Sequence, residues 1–142
     1  MGEFVQRQRR SGTRIVIYGA GDGGGLVIRE LLGQSGGDIR IVGFVDDDPR
    51  KAGIRVQGYP VLGGYSALTV LVNASSIDTV VISSRNLPPE RLNNLQTLCT
   101  AAGIGLSRLR IDLQWIVEPD AETAPAGRQS KGLPATIHRI KG

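Results

Sequence analysis

Gly19, Gly21 and Gly24 stand in the spacing G-x-G-x-x-G, directly after the apolar run Arg14-Ile-Val-Ile-Tyr18. Glycines so placed at a strand-to-helix turn let backbone N–H groups approach phosphate oxygens, where a β-carbon would block the way. Gly19 makes the turn, Gly21 brings the backbone onto the phosphate, and Gly24 lets the following helix lie close on the strand. The N-terminus of that helix adds partial positive charge. Gly23 and Gly25 are additional, and a glycine inside a helix costs up to ~1 kcal/mol relative to Ala. That cost points to close approach by a ligand or another chain. Ala20 and Asp22 complete the loop, and the Asp22 carboxylate has to turn away from any phosphate held there. The expected diphosphate site is therefore Gly19, Ala20, Gly21, Asp22, Gly23 and Gly24. The alternative is a turn that keeps this geometry and binds nothing.

A second group of polar residues follows the run Ile41-Val-Gly-Phe-Val45. A carboxylate at that strand end, here Asp46, accepts hydrogen bonds from both hydroxyls of a ribose. A 2′-phosphate would meet negative charge, which favours NAD over NADP. Asp47 extends the same acidic strand end, and Asp47, Asp48 and Arg50 also read as a solvated turn, with Arg50 in reach of a phosphate. Ser83, Ser84 and Arg85 leave a later apolar run, Thr79–Ser83. They suit either the distal half of a nucleotide or an ordinary strand exit and helix cap.

Residues for bond-making chemistry are few. The chain has 1 His and 1 Cys, His138 and Cys99, far apart in sequence. That excludes an intrachain disulfide and a zinc site built from these residues alone. Cys99 falls on the apolar stripe of a predicted helix and reads as a small buried hydrophobe. A Tyr-x-x-x-Lys pair, which moves protons beside a nicotinamide in short-chain dehydrogenases and sugar epimerases, is not formed. Tyr18, Tyr59 and Tyr65 are followed four residues on by Asp22, Gly63 and Thr69. The expectation is binding without catalysis by this chain alone, with no catalytic residue assigned.

The elements that must position these groups follow from periodicity. Continuous apolar runs predict buried parallel strands at 14–18, 39–45, 79–83 and 104–109, with a short one at 59–62. Helices are expected over 22–32, ended by Gly33; over 66–72, capped by Ser66; and from Pro88-Pro89 to Ala102, ended by a left-handed Gly103. Right-handed crossovers then give a three-layer α/β, Rossmann-like fold. Its five-stranded parallel sheet has the order 3-2-1-4-5, with a ligand crevice between strands one and four. Three parts are expected: a basic arm or membrane-proximal linker (1–13), the nucleotide-binding domain (14–118) and a mobile tail (119–142). Ile111, Leu113, Trp115 and Ile116 are apolar enough to fold back on the sheet or to pack against a partner, and core completion is the expectation.

The formal charge of +4 does not signal a nucleic-acid partner. Residues 1–14 carry a surplus of three positive charges and residues 120–142 a surplus of two, leaving residues 15–119 at minus one. The basicity belongs to the ends, with no basic face carrying interleaved aromatics. A basic arm at 7–14 suits anionic lipid headgroups or solvent equally. No apolar run reaches the ~20 residues of a membrane span, and the first fourteen residues lack the apolar core of a secretory signal.

The strings IVIYGAGDGGG, IVGFVDDDPRKAGIRVQGYPVLGG and IDTVVISS together resemble one family. It is the Rossmann-like domain of bacterial polysaccharide-biosynthesis proteins, especially membrane-bound nucleoside-diphosphate-sugar epimerases/dehydratases. The same domain is appended to polyprenyl-phosphate sugar-1-phosphate transferases, a setting that LPPERLNNLQTLCTAAGIGLSRLRI resembles more nearly. A similar arrangement opens sugar acetyltransferases. The resemblance covers about residues 14–110. It implies a cytoplasmic module at the inner face of the plasma membrane, joined through Arg7–Arg14 to a membrane-embedded or catalytic partner, with a homodimer as a further possibility. It implies NAD as ligand, with a UDP-sugar as alternative and coenzyme A as a weaker one. Carried over by position, Gly19, Gly21 and Gly24 hold the diphosphate and Asp46 the ribose or base. The epimerase domain with its Tyr-Lys pair is not in this chain. The expected function is a nucleotide-binding regulatory or accessory module; the alternative is an NAD-dependent sugar-nucleotide epimerase/dehydratase or dehydrogenase completed by a partner subunit.

Overall fold

The computed structural model describes residues 12–34, 38–120 and 138–139. Most of the basic arm and most of the tail expected from sequence lie outside the described residues. The chain divides into two compact units, 1–109 and 110–142.

In the first unit the order is β1 (Thr13–Tyr18), α1 (Asp22–Gln34), β2 (Ile39–Val45), a 3-10 turn (Pro49–Lys51), β3 (Arg55–Val56), β4 (Tyr59–Gly63), α2 (Tyr65–Asn73), β5 (Thr79–Ile82), α3 (Pro89–Ala102) and β6 (Gly105–Arg108). The sheet runs β3-β4-β2-β1-β5-β6. All neighbours are parallel except the β3–β4 edge pair. The five strands expected from sequence keep their expected order, and β3 makes a sixth. It was missed because its hairpin turns on Gln57 and Gly58, whose φ values are 55° and 86°. Positive φ at both central residues is the two-residue hairpin geometry normally signalled by Asn-Gly or Asp-Gly.

Alternation along β1 separates two apolar layers. Val16 and Tyr18 pack with Leu68 and Val72 of α2 and Leu95 and Cys99 of α3. Ile15 and Ile17 pack with Val27 and Ile28 of α1, and with Phe44 and Val61. The three-layer α/β architecture follows. Cys99 is buried, as a small hydrophobe would be, and burial raises its thiol pKa.

Helix ends show where local signals were overruled. α1 continues through Gly33 to Gln34. α2 begins after Gly64, so Ser66 lies inside it, its carbonyl accepting the Thr69 hydroxyl at 2.7 Å. Gly103 ends α3 with φ 69°, as expected, while Ile104 N–H donates back to the Cys99 carbonyl at 2.9 Å.

The N-terminal edge of the sheet is tied by one ion pair. Asp78 accepts from Arg14 Nε at 3.0 Å, from Arg14 Nη2 at 2.9 Å and from the Arg14 backbone N–H at 2.8 Å. These hydrogen bonds hold the Asp78 carboxyl below its ordinary pKa. The Asp78 N–H donates to the Arg14 carbonyl, and its own carbonyl accepts from Gly105 N–H.

In the second unit β7 (Gln114–Trp115) and β8 (His138–Arg139) form a parallel pair. The expectation that Ile111, Leu113, Trp115 and Ile116 complete the core is corrected at Ile111, Leu113 and Ile116. They are exposed, Ile116 at 83 %.

Candidate functional site

The C-terminal ends of β1, β2 and β5 converge on the glycine loop. Gly19 N–H donates to the Val45 carbonyl at 2.7 Å, continuing the β1–β2 ladder into the turn. Ala20 N–H donates to Asp46 Oδ2 at 2.8 Å, and Asp48 N–H donates to Asp46 Oδ1 at 2.8 Å. Asp46 therefore joins the glycine loop to the end of β2, using both carboxylate oxygens. A carboxylate offers about four acceptor positions, so two remain for other donors.

The glycines divide by what a β-carbon would meet. At Gly19, with φ 116°, it would strike the Ser83 hydroxyl; at Gly23 it would lie 2.6 Å from the Ser83 carbonyl oxygen. At Gly24 it would sit 2.7 Å from Phe44 Cε1 and 2.8 Å from the Gly19 carbonyl oxygen. These three positions require glycine to pack the protein against itself. Gly21 differs: the sole atom within 4 Å is Lys51 Nζ, at 3.9 Å. Gly25 faces only the exposed amide of Gln57, with Nε2 at 3.3 Å. Gly21 opens onto free space at the N-terminus of a thirteen-residue helix. Gly21 is itself exposed.

Lys51 is a residue that the sequence reading missed. Asp48 caps the 3-10 turn by accepting from Arg50 N–H at 3.0 Å, and Pro49 takes its first position. The turn sends Arg50 outward, where it pairs with the Asp48 carboxylate and holds that carboxyl near pKa 2. It folds Lys51 inward, with Nζ 3.6 Å from Asp46 Oδ2. Asp48-Pro49 was the available signal, since a capping residue followed by proline starts a helical turn.

Asp47 points to the other side of the sheet. It accepts the Tyr18 hydroxyl at 2.6 Å and pairs with Arg91 Nη2 at 3.4 Å. The Arg91 guanidinium lies 4.4 Å above the Tyr65 ring centroid, within cation–π range. Burial first, and the bond to Asp47 second, push the Tyr18 phenol pKa well up. Tyr65 and Arg91 were not anticipated; they come from the first turns of α2 and α3, and only the sheet order brings them together.

Ser83 is buried. Its hydroxyl lies 2.8 Å from the Gly19 carbonyl and 3.1 Å from that of Tyr18, so its proton is used to hold the glycine turn. Ser84 Oγ accepts from Asn86 N–H at 3.3 Å, and Arg85 is exposed. Asp22 is exposed at the first position of α1. The structure thus gathers Gly19–Gly24, Asp46 and Ser83 at one loop and sends Asp47 to the opposite side.

No helix among the described residues is long and apolar enough to cross a membrane. The chain matches the CoA-binding domain family over residues 1–103. It is 32% identical over 106 residues to the probable polysaccharide biosynthesis protein EpsC of Bacillus subtilis (strain 168), covering 75% of this chain and 18% of that protein. It is 30% identical over 95 residues to the capsular polysaccharide biosynthesis protein CapD of Staphylococcus aureus, covering 66% of this chain and 16% of that one. The chain thus spans less than a fifth of either relative. In fold it resembles UDP-D-quinovosamine 4-dehydrogenase from Vibrio fischeri, with a TM-score of 0.56 at 21% identity, over 70% of this chain and 79% of that one. With a Rossmann-like sheet, an open glycine loop and these relatives, the chain belongs to the CoA-binding domain family, as a nucleotide-binding type of domain that polysaccharide biosynthesis proteins share.

Proposed function

We propose that the first unit is an accessory module of a larger glycan-assembly protein, holding a diphosphate-bearing nucleotide, NAD or a nucleoside-diphosphate sugar, without catalysing a reaction itself. The carrying observation is Gly21, whose β-carbon position faces open space while Gly19, Gly23 and Gly24 are explained by packing. A ligand diphosphate placed there meets the backbone N–H groups and positive end of α1. The two remaining acceptor positions on Asp46 suit ribose hydroxyls. Ser84 and Arg85 flank the same strand ends and suit the distal half of the ligand. Relatives that are polysaccharide biosynthesis proteins several times longer than this chain support a partner domain within a larger protein; its placement at the inner face of the membrane is part of the proposal.

The test is thermal unfolding with millimolar NAD, NADH, NADP, UDP, UDP-N-acetylglucosamine and coenzyme A. A ligand at 100 times its dissociation constant adds ~2.7 kcal/mol of stability, a visible shift in midpoint. One responding ligand, with the response lost in Gly21→Val, is the expected result and names the occupant. No response to any of them would overturn the nucleotide reading. Hydride transfer between NAD and a UDP-sugar by the chain alone would overturn its non-catalytic part.

A further inference from the structure

The excursion between β2 and β4 builds a wall over the glycine loop. Two polar side chains on it face the two glycines of the loop and first turn of α1, Gly21 and Gly25, that packing does not explain. Lys51 Nζ lies 3.9 Å from the β-carbon position of Gly21, and Gln57 Nε2 lies 3.3 Å from that of Gly25. Each is positioned by its own local device: the Asp48-Pro49 turn for Lys51, the β3–β4 hairpin with Gln57 at φ 55° for the amide.

Charge makes Lys51 the more consequential of the pair. Two carboxylates border the loop: Asp22 at the first position of α1, and Asp46 beneath Ala20. The end of a helix contributes only about half a positive charge, which two carboxylates outweigh. A diphosphate bound at Gly21 therefore needs a cation on the solvent side of the loop. Lys51 stands there, and its 3.6 Å separation from Asp46 Oδ2 is an ion pair too long for a hydrogen bond. Its three N–H donors are not spent on a hydrogen bond among the described residues. With its side chain 34 % exposed, the ammonium can turn toward an incoming anion.

We propose that Lys51 is the counter-charge for the ligand's diphosphate and Gln57 a second donor over the first turn of α1, so that the β2–β4 excursion, and not the glycine loop alone, selects a diphosphate-bearing ligand. This inference rests on the nucleotide reading above. Lys51 contacts the bridging or distal phosphate from the side opposite the backbone N–H groups. Gln57 reaches the part of the ligand that extends along α1.

The experiment measures dissociation constants by calorimetry for NAD, UDP-N-acetylglucosamine and coenzyme A, from low to high potassium chloride. The chains compared are wild type, Lys51→Gln, Lys51→Arg, Gln57→Ala and Gly21→Val. For the ligand that binds, Lys51→Gln is expected to weaken affinity about tenfold or more and to flatten its salt dependence. Lys51→Arg should retain both, and Gln57→Ala should lose about two- to tenfold. Unchanged affinity in Lys51→Gln, with binding lost in Gly21→Val, overturns the assignment and leaves the nucleotide site standing. Weakened affinity with the wild-type salt slope also overturns it, because Lys51 then acts through its pairing with Asp46. If the wild-type chain binds none of the three, this assignment and the nucleotide reading fall together.

Discussion

Asp46 and Asp47 are consecutive, yet they serve opposite sides of the sheet by opposite means. On the Asp46 side the contacts are backbone N–H groups, glycines and one half-exposed lysine, and the position facing Gly21 is open. On the Asp47 side, side chains from three elements and the loop after β2 close on one another: Tyr18, Tyr65, Arg91 and Asp47. One side leaves the main chain at Gly21 open; the other uses side-chain donors to hold the molecule together. A strand end that alternates direction is enough to separate binding from bracing.

The largest expected effect contrasts two glycines of the same loop. Gly24→Val drives a side chain into Phe44 and the Gly19 carbonyl, and should cost about 3 kcal/mol in denaturant unfolding. At Gly21 an added β-carbon meets only the flexible end of Lys51, so unfolding of Gly21→Val should stay within ~0.5 kcal/mol of wild type while nucleotide binding is lost. Equal destabilisation by the two would erase the distinction between packing and binding glycines.

On the closed side, Tyr18→Phe removes a hydrogen bond to a carboxylate and should cost about 1.5 kcal/mol. Its pH signature is specific. Because folding raises the Tyr18 pKa from an ordinary value of 10.0, its stabilising contribution is complete below pH 10 and declines as pH rises beyond it. Alkaline unfolding curves of wild type should therefore converge on those of Tyr18→Phe. Arg91→Ala loses the Tyr65 ring contact and one ion pair, an effect of about 1 kcal/mol. A double-mutant cycle with Tyr18→Phe should show coupling, since both residues meet Asp47 Oδ1; strict additivity would deny that the side is one network.

The smallest effect belongs to the exposed turn beside the site. The Asp48 carboxyl, held near pKa 2 by Arg50, should titrate by NMR well below its usual 3.8. Its contribution is present above the usual carboxylate range and is lost as pH falls toward 2. Arg50→Ala should bring the titration back up with little change in unfolding midpoint.

Much of this was legible in the sequence, for physical reasons. Runs such as Ile15–Tyr18 and Ile41–Val45 announce buried parallel strands because both faces are covered, and the glycine spacing is meaningful because it falls between such a run and a helix. What escaped was the Pro49–Gly58 excursion, where short turns are fixed by one capping carboxylate and by a glutamine in a left-handed conformation that its residue type does not favour. Lys51 was hidden for that reason. Tyr65 and Arg91 were hidden for another: 25 intervening positions separate them, and only their placement over the same sheet face joins them. The roles expected for Asp46 and Ser83 were read from their positions at strand ends. Those positions are as the sequence indicates, and what the structure shows the two side chains doing there is bracing the glycine loop.

The Arg14–Asp78 pair has a mechanical consequence. β1 is an inner strand, parallel to both β2 and β5, and the chain enters it at its N-terminal end. A pull from upstream along the strand axis loads both ladders in shear, so their hydrogen bonds resist together instead of opening one by one. Arg14 sits at the point of entry, bolted through Asp78 to the neighbouring strand. A tug on the leading segment is thereby borne at the edge farthest from Gly21, and the glycine loop, at the other end of the same strand, is the last part to feel it.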